Sequence, residues 1–275
     1  MIELIIFKTV AVFILGLIFG SFANVLVDRG GSESDLSSLN GRSRCDKCKK
    51  KLSWYDNIPL LSYLFLRGKC RQCGDDISWQ YPAVEWLFGL GFVFIAWRTS
   101  FIFGFLDRGE VIDTIFYLAI GFVLLTILVW DLKHMIIPDG LVVGGLVLAG
   151  IYFGYQYLIS PDFLRSVNTD LTRNLLGGLI VSGFFYAMFR FSNGRWIGGG
   201  DVKLGALVGF LVGWKMVYFL VMIAYVIGAI PAVYLLITKK ATVKTRIPFG
   251  PFLVISALVT SLFREEILEL WNKFV

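Results

Sequence analysis

Of the 275 residues, 57% are hydrophobic and only 17% charged, and the mean hydropathy is +0.73; a water-soluble globular chain is normally about a quarter charged, so that class is excluded. The net charge of +6 resides in lysines and arginines grouped between apolar runs, which reports membrane topology and argues against nucleic acid as a partner. The apolar runs are continuous and do not alternate, which excludes a transmembrane barrel.

In chain order the runs are Leu4–Val27, Val84–Trp97, Val111–Trp130, Leu141–Ile159, Leu175–Phe191, Lys203–Gly213, Met216–Thr238 and Phe249–Phe263. A spanning helix needs about 20 apolar residues. Most runs qualify; Val84–Trp97 and Lys203–Gly213 are short and must recruit flanking residues or span incompletely. The expected fold is an all-α polytopic membrane protein of about eight transmembrane helices, with a small cytoplasmic four-cysteine zinc-binding insert. The first run lacks a basic leader and a small-residue cleavage site, so it reads as a retained helix. Gly16 and Gly20 within it form a GxxxG pattern suited to close helix packing. The expected domains are the first transmembrane helix (1–27), the cysteine insert (28–82) and the remaining transmembrane bundle (83–275).

Ten Lys/Arg lie between Arg29 and Arg71. Further positive charge gathers at Arg190, Arg195 and Lys203, and at Lys239, Lys240, Lys244 and Arg246. The positive-inside rule puts these three regions in the cytoplasm and both termini outside. The insert opens with a Gly/Ser-rich stretch, "RGGSESDLSSLNGRS", expected to be flexible. No internal repeat of fixed period stands out.

All four cysteines fall in the insert: Cys45-x2-Cys48 and, twenty-one residues later, Cys70-x2-Cys73. The two-residue gap lets both thiolates of a pair converge on one ion, which points to a tetrahedral zinc site. Two disulfides are the other arrangement, disfavoured in a reducing cytoplasmic loop. Four thiolates close the coordination sphere, so such a zinc folds the insert and does not catalyse.

Asp131 ends the third run in "TILVWDLKHMIIPDGL", and Asp201 opens the sixth in "GGGDVKLGALVG". Two carboxylates brought together cannot both ionise cheaply, so one holds a proton. Such a pair activates water as base and protonates a leaving amine as acid. Each aspartate is equally a candidate helix cap, as Asp139 and Asp113 are. His134, the single histidine, and Lys203 both read as interfacial side chains near the cytoplasmic edge.

Five ordered segments resemble the type IV prepilin peptidases: "GSFANVLVDR" (Gly20–Arg29), Cys45–Glu85, "DLKHMIIPD" (Asp131–Asp139), "GGGDVKLGALVG" (Gly198–Gly209) and "IPFGPFL" (Ile247–Leu253). The fourth resembles the GxGD signature shared with presenilin-like proteases. Asp28 stands where many members carry tyrosine, and Ala23 where leucine is common. The resemblance implies that Asp131 and Asp201 are a catalytic dyad in a bacterial cytoplasmic (inner) membrane. It implies removal of the basic leader of type IV prepilins or pseudopilins after a glycine, at the cytoplasmic face of the lipid bilayer. It further implies N-methylation of the new terminal residue by S-adenosylmethionine, with Trp54, Asp56, Asn57 and Glu85 as positional candidates for the donor site. Two other classes compete: an ion-coupled transporter using Asp201 beside a broken helix, and a non-enzymatic scaffold built on the zinc module.

Overall fold

A computed structural model describes residues 2–30, 43–45, 47–103, 108–159, 170–239 and 247–274. Most of the Gly/Ser-rich stretch, and Lys240, Lys244 and Arg246, lie outside the described residues. The helices are α1 (Ile2–Gly30), α2 (Leu61–Phe65), α3 (Gln80–Arg98), α4 (Arg108–His134), α5 (Asp139–Ile159), α6 (Asp170–Ser192), α7 (Gly199–Val212), α8 (Val217–Ile237), α9 (Gly250–Leu262) and α10 (Arg264–Phe274). Among the described residues the only β pairing is two isolated bridges in the insert. The fold is all-helical, as expected.

Among the described residues five stretches are long and apolar enough to cross a membrane: α1, α4, Asp139–Leu158, Leu171–Ser192 and Trp214–Ile237. The other three expected spans are helices too, but α3 has 19 residues, α7 has 14 and α9 has 13. At 1.5 Å per residue, α7 is about 21 Å long, short of a hydrocarbon core of about 30 Å. It is halted by Gly213, whose φ of 73° ends the helix while its N–H still reaches Gly209 O. The side chains of Leu204, Leu207, Val208, Phe210, Leu211 and Val212 are all buried. A short helix whose apolar side chains are mostly buried in protein need not match the thickness of the bilayer.

The chain divides into two compact units, Met1–Phe122 and Val123–Val275, the division falling inside α4. In the first unit α1 packs along α3. A Cβ on Gly16 would fall 2.5 Å from Phe88 O, and one on Gly20 would fall 2.8 Å from Glu85 Cα. Only glycine permits so close an approach of the two backbones. Phe88 and Phe92 fill the seam below it. Buried Lys8 is satisfied, donating to Phe101 O (3.0 Å) over the Phe101 ring.

In the second unit α6 and α7 make the tightest pair, and α5 and α9 flank α7. Here too glycine meets glycine: a Cβ on Gly177 would strike Gly209 O, and the reverse substitution would strike Gly177 O. The last apolar run was expected to end at Phe263; an amphipathic helix, α10, follows it. Glu265 and Glu266 start α10 and Lys273 ends it, in the order its dipole favours. Its Trp271 ring rests 5.6 Å from Phe219 of α8.

Candidate active site and metal centre

The insert is built from two copies of one local fold. In the first, the N–H of Cys45 donates to Lys50 O (3.1 Å), that of Lys49 to Cys45 O (2.9 Å) and that of Leu52 to Ser43 O (2.8 Å). In the second, Cys70 donates to Asp75 O (2.7 Å), Gly74 to Cys70 O (2.9 Å) and Ile77 to Gly68 O (2.7 Å). The position after the second cysteine turns left-handed in both, Lys49 at φ 56° and Gly74 at φ 71°. The duplication is one of backbone geometry, and the repeated CxxC pair is its trace in the sequence.

This geometry turns all four Sγ atoms inward, within 4.8 Å of one another, with Cys45 and Cys73 at 3.8 Å. A tetrahedral ion with sulfur bonds near ~2.3 Å requires sulfurs about 3.8 Å apart. The four cysteines are free thiols, so the cluster is a donor set able to hold a metal ion. The backbone amides of Cys73 and Gln72 draw the Cys70 thiol down to about 7, favouring the ligating thiolate. Lys47 of the first knuckle pairs with Asp75 of the second at 2.6 Å, and that carboxylate pushes the Lys47 ammonium above its ordinary value.

The four positional candidates for the donor site part company. Asp56, Asn57 and Glu85 line one cavity in the first unit. Trp54 lies outside it, 79% exposed. Asp56 accepts from Arg71 Nε (2.9 Å) and from Ser53 N–H (3.3 Å), which fastens the Trp54–Asn57 turn to the second knuckle. Glu85 Oε2 accepts the N–H of Leu60 (2.8 Å), a residue at φ 58°.

In the second unit Asp131 and Asp201 are 5% and 8% exposed. Asp131 ends α4, and its Oδ2 accepts the N–H of Gly250 (3.1 Å), the first residue of α9. Asp201 is in the first turn of α7, and its Oδ2 accepts the N–H of Gly198 (3.1 Å). Each carboxylate thus takes an amide that a helix N-terminus leaves without an intrahelical partner, and the positive end of that helix dipole favours an anion there. The Asp131 charge acts on Asp201, so the two acids are electrostatic neighbours. Asp201 is an interior capping group and a member of this pair at once; the two readings left open by its position are compatible.

Ile137 is the apolar wedge beneath the pair. A Cβ on Gly200 would meet Ile137 Cβ at 3.1 Å, and a Cβ on Gly250 would lie 3.4 Å from Ile137 Cδ1 and only 2.6 Å from Asp131 Oδ2. Gly250 is therefore a site residue that the sequence reading did not single out, although "IPFGPFL" contains it. Tyr225 was missed as well; it lies near enough to feel the Asp201 charge. Lys203, expected at the interface, directs its ammonium to both oxygens of Asp139 (2.6 and 2.8 Å). The His134 ring rests 6.0 Å from Trp130.

Comparison with known proteins divides the chain in a similar way. The bacterial peptidase A24 N-terminal domain matches residues 14–99, and the type IV leader peptidase family matches residues 118–233. A prepilin leader peptidase/N-methyltransferase of Vibrio cholerae is 32% identical over 254 residues, covering 90% of this chain and 93% of its own. The protein of that name from Stutzerimonas stutzeri is 30% identical, covering 95% and 92%. That of Bacillus subtilis is 29% identical, covering 95% and 96%. No solved structure matches.

Proposed function

This chain belongs to the type IV leader peptidase family, and from that premise we propose that it is a prepilin leader peptidase and N-methyltransferase. The observation that carries the peptidase reading is the pair of buried carboxylates, each holding one backbone amide through Oδ2. Asp131 and Asp201 share one proton; the ionised member takes a proton from water, and the protonated member gives one to the leaving amine. The Gly250 and Gly198 amides hold each Oδ2, and the acid–base work is assigned to each Oδ1. The substrates are type IV prepilins or pseudopilins. Their apolar helix lies along the bundle within the bilayer, and a glycine before the scissile bond unwinds it. The basic leader stays at the cytoplasmic face of the inner membrane, and the chain's own termini lie outside.

For the four thiols we assign zinc. An all-sulfur tetrahedral set suits that ion, and its closed sphere makes the site structural. Zinc supplies folding energy to the insert and takes no part in proteolysis. Methyl transfer from S-adenosylmethionine to the freed amine is assigned to the first unit, which contains the insert.

The test is to incubate the purified protein with a prepilin and S-adenosylmethionine and weigh the product by mass spectrometry. Loss of the leader plus one methyl group, absent with Asp201→Asn, is the expected result. Cleavage without methylation would remove the transferase half of the proposal. No cleavage of any prepilin would remove both.

A further inference from the structure

The cavity of the first unit, about 720 Å³, lies where the insert-side ends of α1 and α3 meet the insert, and Asn24, Asn57, Tyr63, Tyr81 and Glu85 are among the residues lining it. Its volume falls in the range of small-molecule sites, about 300–1,000 Å³. One buried oxygen in it has no partner, and one buried carboxylate has no counter-charge.

Asn24 is 3% exposed. Its Nδ2 donates to Tyr81 O (3.1 Å), which fixes the orientation of the amide, and its Oδ1 is buried with no partner. Native interiors rarely leave such an oxygen unpaired, so each case calls for an explanation. Glu85 is 7% exposed. It accepts from Leu60 N–H, yet no cation among the described residues pairs with it. A buried carboxylate without a counter-charge is costly. Asp56, the other candidate acid, is committed to Arg71. An unpaired carboxylate and an orphaned carbonyl oxygen in one cavity call for a ligand that is cationic and rich in N–H or O–H donors.

We propose that this cavity is the methyl-donor site, with Asn24 Oδ1 and Glu85 as its anchors for the donor's positive groups. The assignment rests on the N-methyltransferase reading above. S-adenosylmethionine brings a sulfonium, an α-ammonium with three N–H donors and two ribose hydroxyls, and the Tyr63 and Tyr81 rings offer its adenine an aromatic wall. The freed pilin end brings one amine on a helix held in the bilayer, which leaves most of the cavity unfilled. In the transfer, the methyl–sulfur bond breaks with its electron pair left on sulfur as a thioether. The neutral amine's lone pair forms the new N–C bond, and the resulting secondary ammonium releases one proton to water.

The experiment is calorimetric titration of S-adenosylmethionine into the full-length protein in detergent, beside Asn24→Leu, Glu85→Gln and Trp54→Ala. Glu85→Gln keeps an oxygen for Leu60 N–H and removes only the charge, so it stands in should Asn24→Leu fail to fold; thermal unfolding of each variant reports that. Asn24→Leu and Glu85→Gln are each expected to raise Kd at least tenfold, and Trp54→Ala to leave it unchanged. Unaltered Kd in a folded Glu85→Gln, or a loss of affinity confined to Trp54→Ala, would overturn the assignment. If the two variants instead weaken only the binding of a mature pilin peptide with a free terminal amine, the cavity holds the amine and the donor assignment is overturned. If the wild-type protein binds no donor at all, the N-methyltransferase reading itself falls, a result distinct from wild-type binding that the variants leave intact.

Discussion

At the scale of single residues, the pair of aspartates illustrates how a buried charge is made tolerable. Asp201 finds its amide three residues away, whereas Asp131 finds one 119 residues away. Asn at either position keeps the shape and removes the proposed acid–base role, so Asp131→Asn and Asp201→Asn should each lower prepilin cleavage by at least about a hundredfold. Their thermal unfolding should stay close to wild type. Gly250 makes a finer test. Its alanine variant would press a methyl group to 2.6 Å from Asp131 Oδ2, displacing the carboxylate. The expected outcome is a fall of about tenfold or more in kcat with little change in KM, since misplacing a reacting group by a fraction of its geometry is felt in the chemical step. Lys203–Asp139 marks the opposite case. Both side chains are more than half exposed, and such pairs contribute at most about 1 kcal/mol.

At the scale of elements, two seams depend on the absence of side chains. Gly16→Leu would force α1 off α3 where a Cβ already reaches Phe88 O, and overpacking of this kind costs about 1–3 kcal/mol. A lower unfolding midpoint of the purified protein would register it; an unchanged midpoint would mean the seam relaxes freely. The cysteine insert carries its own pH dependence. Cys70 is drawn down to about 7 from an ordinary 9.0 while the neighbouring thiols push Cys73 up to about 11; the contribution of the Cys70 thiolate alone is present at high pH and lost as pH falls through about 7. Metal release to a chromogenic chelator should therefore be faster at pH 5.5 than at pH 8. A chelator at pH 8 should expose the insert to protease while α4 to α9 stay intact, because the knuckles close only within the insert.

At the scale of the whole molecule, the acids and the thiols fall in different compact units, Val123–Val275 and Met1–Phe122. Damage to the insert should consequently suppress methylation more than leader cleavage, measurable as unmethylated mature pilin in the mass spectrum. Loss of both to the same degree would mean that the units act as one. Both termini outside is a prediction of charge placement, testable by protease access to terminal tags on intact spheroplasts. Residues 2–30 and the other apolar runs were legible because helix length and hydropathy are local quantities. The thiol cluster was legible because a two-residue spacing encodes its own turn. Asp131 and Asp201 were legible as ionisable groups at the ends of apolar runs, where such groups are costly. By itself, then, the sequence determined a helical membrane protein, a sulfur donor set and two acids in need of a reason. Only the tertiary structure decided that the apolar side chains of α7 from Leu207 to Val212 are buried in protein, that a Cβ on Gly250 would press on Asp131, and that Asn24 Oδ1 lacks a partner. Each of these depends on what a distant segment brings to within a few ångströms, and no local pattern of residues records that.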